Sequence, residues 1–190
     1  MNSSATSRQS TLSITVIGMM SAMIFVLNYF RFPFLGTQVH MTNALCVLSG
    51  LLFGPAAGFL ASGIGSMLYD IVAGYGVECL ITFVSKGAIG LIAGLIAYRV
   101  LHHQPMSGSD HTLIVLGSAA GAFAYVALYM LKTFIFGLTV NGLTMSGTLA
   151  KMLSKLPGSA INALFATVVA PIFYAAIRPA LRRAGVLDLR

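Results

Sequence analysis

Six apolar runs, each near the length of a membrane crossing, follow one another along almost the whole 190-residue sequence. They are Leu12 to Phe30, Val39 to Phe53, Ala56 to Ala73, Cys79 to Tyr98, Thr112 to Gly137 and Pro157 to Ile177. A helix that crosses a bilayer uses about 20 residues, and only helices and closed barrels satisfy their own backbone groups in lipid. Six crossings with short loops consume the chain. Only 8% of its residues are charged, against about 25% in soluble domains, which excludes a water-soluble fold. Its 57% hydrophobic content likewise excludes intrinsic disorder. The expected architecture is an all-α integral membrane protein, a bundle of six transmembrane helices forming one domain over residues 1–190.

The second and third runs adjoin. As one straight helix, Val39 to Ala73 would measure about 50 Å at the helical rise, against a hydrocarbon core of about 30 Å. Gly54-Pro55 between them therefore reads as a tight hairpin turn. Six crossings leave both termini on one side, and the basic residues choose which. Arg8, Arg99, Arg178, Arg182, Arg183 and Arg190 fall on the side of the termini, while Arg31, Lys151 and Lys155 fall on the other. The positive-inside rule makes the termini cytoplasmic, with the loop Leu101 to His111 inside and Arg178, Arg182 and Arg183 as a topology and lipid anchor. The outer connections are Arg31 to Gln38, Gly74 to Val77 and Leu138 to Leu156. The last is expected to be a long loop, beginning at the turn Asn141-Gly142, that either shields helix ends or covers a binding site. Met1 to Thr11 lacks the basic start and small-residue cleavage site of a signal peptide.

Whole classes of chemistry lack their residues. Ser85-Lys86-Gly87 has neither the upstream glycine nor the following hydroxyl of a phosphate loop, so the chain is not expected to hydrolyse ATP. There is no His-Glu-x-x-His, and Gly63-Ile64-Gly65-Ser66 has the wrong spacing for a nucleophile elbow. Cys46 and Cys79 have no metal-ligand spacing and read as small core residues. No catalytic residue, metal site, covalently bound cofactor or nucleic-acid partner is expected.

Polar residues within the spans carry more information, because a lysine at mid-helix costs about 2.5 to 3.5 kcal/mol to insert. Glu78, Thr82 and Lys86 stand at i, i+4 and i+8 and share one helix face. Glu78 is also served by the helix dipole alone; Lys86, about 12 Å deeper, is harder to explain by snorkelling. Below them Gly90, Ala93, Gly94 and Ala97 form a small-residue packing seam. Asp70 ends a polar tract with Ser62, Ser66 and Tyr69. Tyr125, Tyr129 and Lys132 share a face of the fifth span, and Lys155, Ser159 and Asn162 share one on the sixth. Asn43 and Arg31 complete a ring of polar groups in the outer half, while the inner half is small and apolar. The pattern describes a pocket open to the outside and closed below, for a medium-sized polar ligand with an aromatic or amide-bearing body. Candidate ligand-binding residues are Asn43, Asp70, Glu78, Thr82, Lys86, Tyr125, Tyr129, Lys132, Lys155 and Asn162. On the uncharged first span, Gly18-x-x-x-Ala22 is a small-residue face suited to another membrane helix.

These residues resemble a known family, the substrate-binding S components of energy-coupling factor (ECF) vitamin transporters. The resemblance rests on Asn43 with Gly50-Leu51-Leu52-Phe53-Gly54-Pro55 and Gly58, on Gly63-Ile64-Gly65-Ser66 with Tyr69-Asp70, and on Thr82-Phe83 with Lys86-Gly87. Leu156-Pro157-Gly158-Ser159 with Asn162, then Pro171 and Arg178-Pro179, extend it almost to the end. It implies a prokaryotic plasma-membrane protein that binds a vitamin near the outer face. It further implies partnership with a transmembrane T component and two cytoplasmic ATPases, which alone use ATP, and delivery by toppling in the membrane. Docking through small residues of the first helix would fall on Gly18 and Ala22. The wording of the chain is most similar to the branch with cobalamin-specific members, so cobalamin is the first expectation. Riboflavin, a pyridoxine-like vitamin, a pyrimidine precursor and pantothenate stand behind it. A stand-alone facilitator and a small membrane enzyme are the alternatives from other classes.

Overall fold

The computed structural model describes residues 3–34, 37–97 and 108–186. Its order is α1 (Ser3–Leu27), β1 (Arg31–Phe34), β2 (Thr37–His40), α2 (Thr42–Val72), α3 (Glu78–Ile96), α4 (Gly108–Thr139) and α5 (Met145–Arg183). Five helices among the described residues are long and apolar enough to cross a membrane, where six separate spans are expected from the sequence. The difference lies in α2, which runs through Gly54-Pro55 without a loop but is broken there. Gly54 takes φ 82°, a left-handed conformation open to glycine. The arms on either side fold back on each other: Ser62 Oγ donates to the Cys46 carbonyl at 3.3 Å and lies 3.2 Å from Ser49 Oγ. Sixteen residues of straight helix would hold Cys46 and Ser62 about 24 Å apart. The hairpin turn is thus present as a reversal inside one continuous helical range.

The first arm begins at Thr42 rather than Val39, and every residue from Thr42 to Gly54 is buried. Twelve helical residues before Gly54 cover about 18 Å, short of a hydrocarbon core of about 30 Å. Because other helices wrap this arm, protein rather than lipid surrounds its ends. Glycines allow the wrapping. A Cβ on Gly50 would collide with the Gly90 carbonyl, one on Gly90 with the Gly58 carbonyl, and one on Gly94 would lie 2.7 Å from the Pro55 nitrogen. The seam expected from Gly90, Ala93 and Gly94 is therefore a three-way junction of α3 with both arms of α2.

The all-helical architecture holds for every spanning element, and two local expectations are corrected. The connection after α1 is an antiparallel hairpin with Arg31 opposite His40 and Phe32 opposite Val39. Val39, assigned to the second span, belongs to this hairpin. The long loop Leu138 to Leu156 is mostly helix: α5 starts at Met145, capped by Thr144, whose hydroxyl accepts from the Gly147 amide at 3.2 Å. Lys151, Ser154, Lys155 and Pro157 gave this stretch the composition of a loop, yet the helix passes through Pro157. The loop bearing Arg99, His102 and His103, and Arg190 at the end, lie outside the described residues.

The hairpin, the turn at 73–77 and the short connection 140–144 gather at one end of the bundle. At the opposite end Asp110, Tyr174 and Arg178 are buried together near the start of α4 and the end of α5. Cys46 is buried and Cys79 half-buried, and both are free thiols.

Candidate functional site

A cavity of about 360 Å³ opens at the hairpin end. Its wall takes one polar stripe from each surrounding element. α3 supplies Glu78, Thr82, Ser85 and Lys86, the second arm of α2 supplies Asp70, and α4 supplies Tyr125, Tyr129, Lys132, Thr133 and Phe136. From α5 come Lys151, Lys155, Ser159 and Asn162, and from the hairpin and its approach Asn28, Arg31, Gln38 and His40. Tyr75 and Asn141 stand at its connections. Nine of the ten candidate residues line this one space: Asp70, Glu78, Thr82, Lys86, Tyr125, Tyr129, Lys132, Lys155 and Asn162.

Asn43 is the exception. It is fully buried behind the wall, where its side-chain oxygen accepts from Lys86 Nζ at 2.5 Å. The ammonium also sits 4.3 Å from the centroid of Tyr125, a cation over an aromatic face. Lys86, only 4% exposed, is thus held from behind by an amide and from the side by a ring, and among the described residues no carboxylate forms an ion pair with it. Tyr125 stacks on Tyr129 with centroids 5.8 Å apart and an interplanar angle of 18°. Lys155 Nζ lies 5.3 Å from the Tyr129 centroid. Two tyrosines one helical turn apart therefore form an aromatic wall with an ammonium at each ring.

Lys132 pairs with Glu78 at 2.5 Å, joining α4 to the first turn of α3. Arg31 is fixed by hydrogen bonds to the Asn28 carbonyl at 2.5 Å, to Asn28 Oδ1 at 2.9 Å and to Gln38 Oε1 at 3.2 Å. Its guanidinium lies 4.1 Å from the Tyr69 ring centroid. Asn162, expected to touch ligand, spends its amide on the hairpin: its oxygen accepts from the His40 N–H at 2.9 Å and its nitrogen donates to the Gln38 carbonyl at 2.8 Å. The hairpin is thereby latched to α5 over the cavity. The His40 ring has a buried Nδ1 with no hydrogen-bond partner among the described residues. Burial, with Lys86 and Arg31 nearby, holds its pKa well below 6.5, so the ring is neutral at pH 7.

Sequence reasoning missed Asn28, Gln38, His40, Tyr75, Ser85, Thr133, Phe136, Asn141 and Lys151. Lys151 was legible, since it stands four residues before Lys155 on the same helical face. The hairpin residues were not, because four-residue strands between two helices leave almost no periodic signal. Gly18 and Ala22 lie away from the cavity, exposed on α1, with nothing within 4 Å of a Cβ built on Gly18. Among the described residues no three His, Cys, Asp or Glu side chains are grouped to hold a metal ion.

The ECF-type riboflavin transporter S component family matches residues 8–179. The chain belongs to that family. It is a multi-pass membrane protein, and S components are the substrate-binding, non-catalytic subunits of their transporters. The solved structure of an S component of a bacterial ECF transporter shares the fold, with a TM-score of 0.64 over 90% of this chain and 98% of that one, at 16% sequence identity. Among curated proteins, an uncharacterized protein in the gap 3′ region of Pyrococcus woesei is 29% identical over 55% of this chain and 66% of its own length. A UPF0397 protein of Vibrio atlanticus is 30% identical over 54% of this chain and 58% of its own. A UPF0397 protein of Clostridium perfringens is 39% identical over 43% and 45%. The chain thus spans about half to two thirds of the length of the curated relatives it matches.

Proposed function

We propose that this S component captures a small heteroaromatic vitamin of the flavin class at the outer membrane face and delivers it inward. The observation that carries this reading is the cavity of about 360 Å³ with the stacked Tyr125 and Tyr129 on one side and the latched hairpin above. Stacked tyrosines offer a flat aromatic surface, and the amide, hydroxyl and ammonium groups around them match the carbonyls and ring nitrogens of such a ligand. The volume lies near the small end of ligand sites, which run from about 300 to 1,000 Å³. Riboflavin, named in the description of the family, suits that space. Cobalamin, the first expectation from the resemblance, needs far more room. A pyridoxine-like vitamin, a pyrimidine precursor and pantothenate fit by size but make less use of the tyrosine pair.

Transport places further demands that the family reading answers. Both arms of α2 count as crossings in a six-pass topology, so the termini are cytoplasmic and the hairpin end faces outside, in accord with the positive-inside count. Energy comes from two cytoplasmic ATPases through a T component. Gly18 and Ala22 on the exposed face of α1 form the docking surface, and toppling on that surface carries the cavity across the membrane.

Native mass spectrometry of the protein purified gently from its own host tests the proposal. A flavin-sized ligand, together with a T component and two ATPases, is the expected result. A corrinoid mass would restore cobalamin as the substrate. Uptake in cells that lack every ECF ATPase would replace the importer by a facilitator, and turnover of a lipid by the isolated chain would make it an enzyme.

A further inference from the structure

The cavity holds more positive charge than its own residues neutralise. Arg31, Lys86, Lys132, Lys151 and Lys155 line it, against the two carboxylates of Asp70 and Glu78. Lys132 is committed to Glu78. Arg31 and Lys86 are held by amides, carbonyls and aromatic faces, and neither they nor Lys151 and Lys155 form an ion pair with a carboxylate among the described residues. Lys151, Lys155 and Ser159 repeat every four residues along α5, so two of these cations are stacked on one helical face.

A solvated cavity tolerates such a surplus because water screens it. An occupant that fills the space expels that water, and a desolvated cation without a counter-charge is strongly disfavoured. A neutral occupant would leave the surplus uncompensated, whereas an anionic one makes charge-assisted hydrogen bonds with it. We propose that the ligand carries an anionic group, a phosphate ester or a carboxylate, seated at Lys151 and Lys155 while its planar part lies on Tyr125 and Tyr129. This inference rests on the vitamin-binding reading and deepens it: the preferred form of the ligand is charged.

Riboflavin and riboflavin 5′-phosphate share ring and side chain and differ by the anion alone. A flavin stacked on the tyrosine pair loses emission to the electron-rich rings, so quenching of flavin emission reports binding. The protein is assayed in zwitterionic nanodiscs, with thermal unfolding in inorganic phosphate against chloride at matched ionic strength as a second readout. The expected result is that the phosphate ester binds at least about tenfold more tightly than riboflavin, the scale of one charge-assisted contact. That ratio falls towards one in Lys151→Gln/Lys155→Gln and persists in Lys151→Arg/Lys155→Arg. Equal affinities, or tighter binding of riboflavin, overturn the anionic inference and leave the flavin reading standing. If neither flavin binds but inorganic phosphate stabilises the wild type and not the Gln variant, the anion site stands and the flavin reading falls. Absence of both effects overturns the two together. Competition of phosphatidylglycerol in the nanodisc with the phosphate ester would assign the cations to a lipid headgroup and overturn the proposal.

Discussion

Asn162 is bound to His40 across 122 residues of sequence, its side-chain oxygen accepting the backbone N–H at 2.9 Å. The same amide donates to the Gln38 carbonyl at 2.8 Å, so it pairs with strand β2 as a neighbouring strand would. Two hydrogen bonds of this kind contribute about 1 to 3 kcal/mol. Asn162→Ala should therefore loosen the hairpin while leaving the bundle folded. Hydrogen exchange followed by mass spectrometry should show the amide of His40 exchanging about tenfold faster or more. Unchanged exchange over Thr37 to His40 would mean that the hairpin is held by other contacts.

His40 gives the hairpin a pH dependence whose sign is fixed by its surroundings. Burial, Lys86 and Arg31 disfavour the imidazolium, so the folded pKa lies well below 6.5. As pH falls below about 6.5 the unfolded chain takes up a proton that the folded chain refuses. Stability associated with His40 is therefore complete above that pH and declines as pH drops towards the folded pKa. The melting temperature in detergent should fall between about pH 7 and pH 5, and the fall should be smaller in His40→Gln. Parallel curves for the two proteins would exclude His40 as the source.

The parts of this arrangement legible in the sequence are those in which one helix carries a regular pattern. Glu78, Thr82 and Lys86 share a helical face by spacing alone, and the structure puts all three on the cavity wall. Tyr125 and Tyr129 were legible for the same reason. The start of α5 was misread because Lys151, Ser154 and Lys155 make a helix that faces a polar cavity look like a loop. The role of Asn162 was hidden more deeply. Its partners are backbone groups of a distant hairpin, and side-chain identity carries no record of which backbone a side chain will meet. Gly54-Pro55 shows the converse, since a chain too long for the membrane had to reverse there, whatever name its helical range receives.

Among the described residues Lys86 has no acid partner, and its buried charge is met by the Asn43 oxygen and the Tyr125 ring. Removing the ammonium saves the cost of burying a charge that has no acid partner among the described residues, and this offsets the about 1 to 3 kcal/mol of leaving the buried Asn43 oxygen without its donor. Lys86→Met should therefore insert and fold, with a melting temperature within a few degrees of the wild type. Ligand affinity should fall about tenfold or more, the loss of one charge-assisted contact. Unchanged affinity, read by flavin emission or by native mass spectrometry, would remove Lys86 from the site.

Gly90 separates two polypeptide backbones, and a Cβ there would collide with the Gly58 carbonyl and lie 2.9 Å from Ser62 Oγ. The obstacle is backbone, which cannot swing aside as a side chain can. Overpacking of this kind costs about 1 to 3 kcal/mol, so Gly90→Ala should lower the temperature at which the detergent-solubilised protein aggregates. Gly18→Ala is the matched comparison, because its Cβ meets nothing within 4 Å. Equal melting of the two variants would show that α3 shifts to accommodate the methyl.

The open space around Gly18 also separates stability from assembly. Ile14, Met19, Met23 and Val26 are exposed beside Gly18 and Ala22, so this side of α1 contacts lipid or another helix rather than the bundle. Small residues at such a face let a second helix approach closely, and a larger side chain prevents it. Ala22→Leu should leave folding and ligand affinity of the isolated subunit unchanged, because neither the core nor the cavity uses that position. In cells it should reduce vitamin uptake and the amount of T component and ATPases that co-purifies. Should uptake and co-purification both survive in Ala22→Leu combined with Gly18→Leu, the docking face lies on another helix.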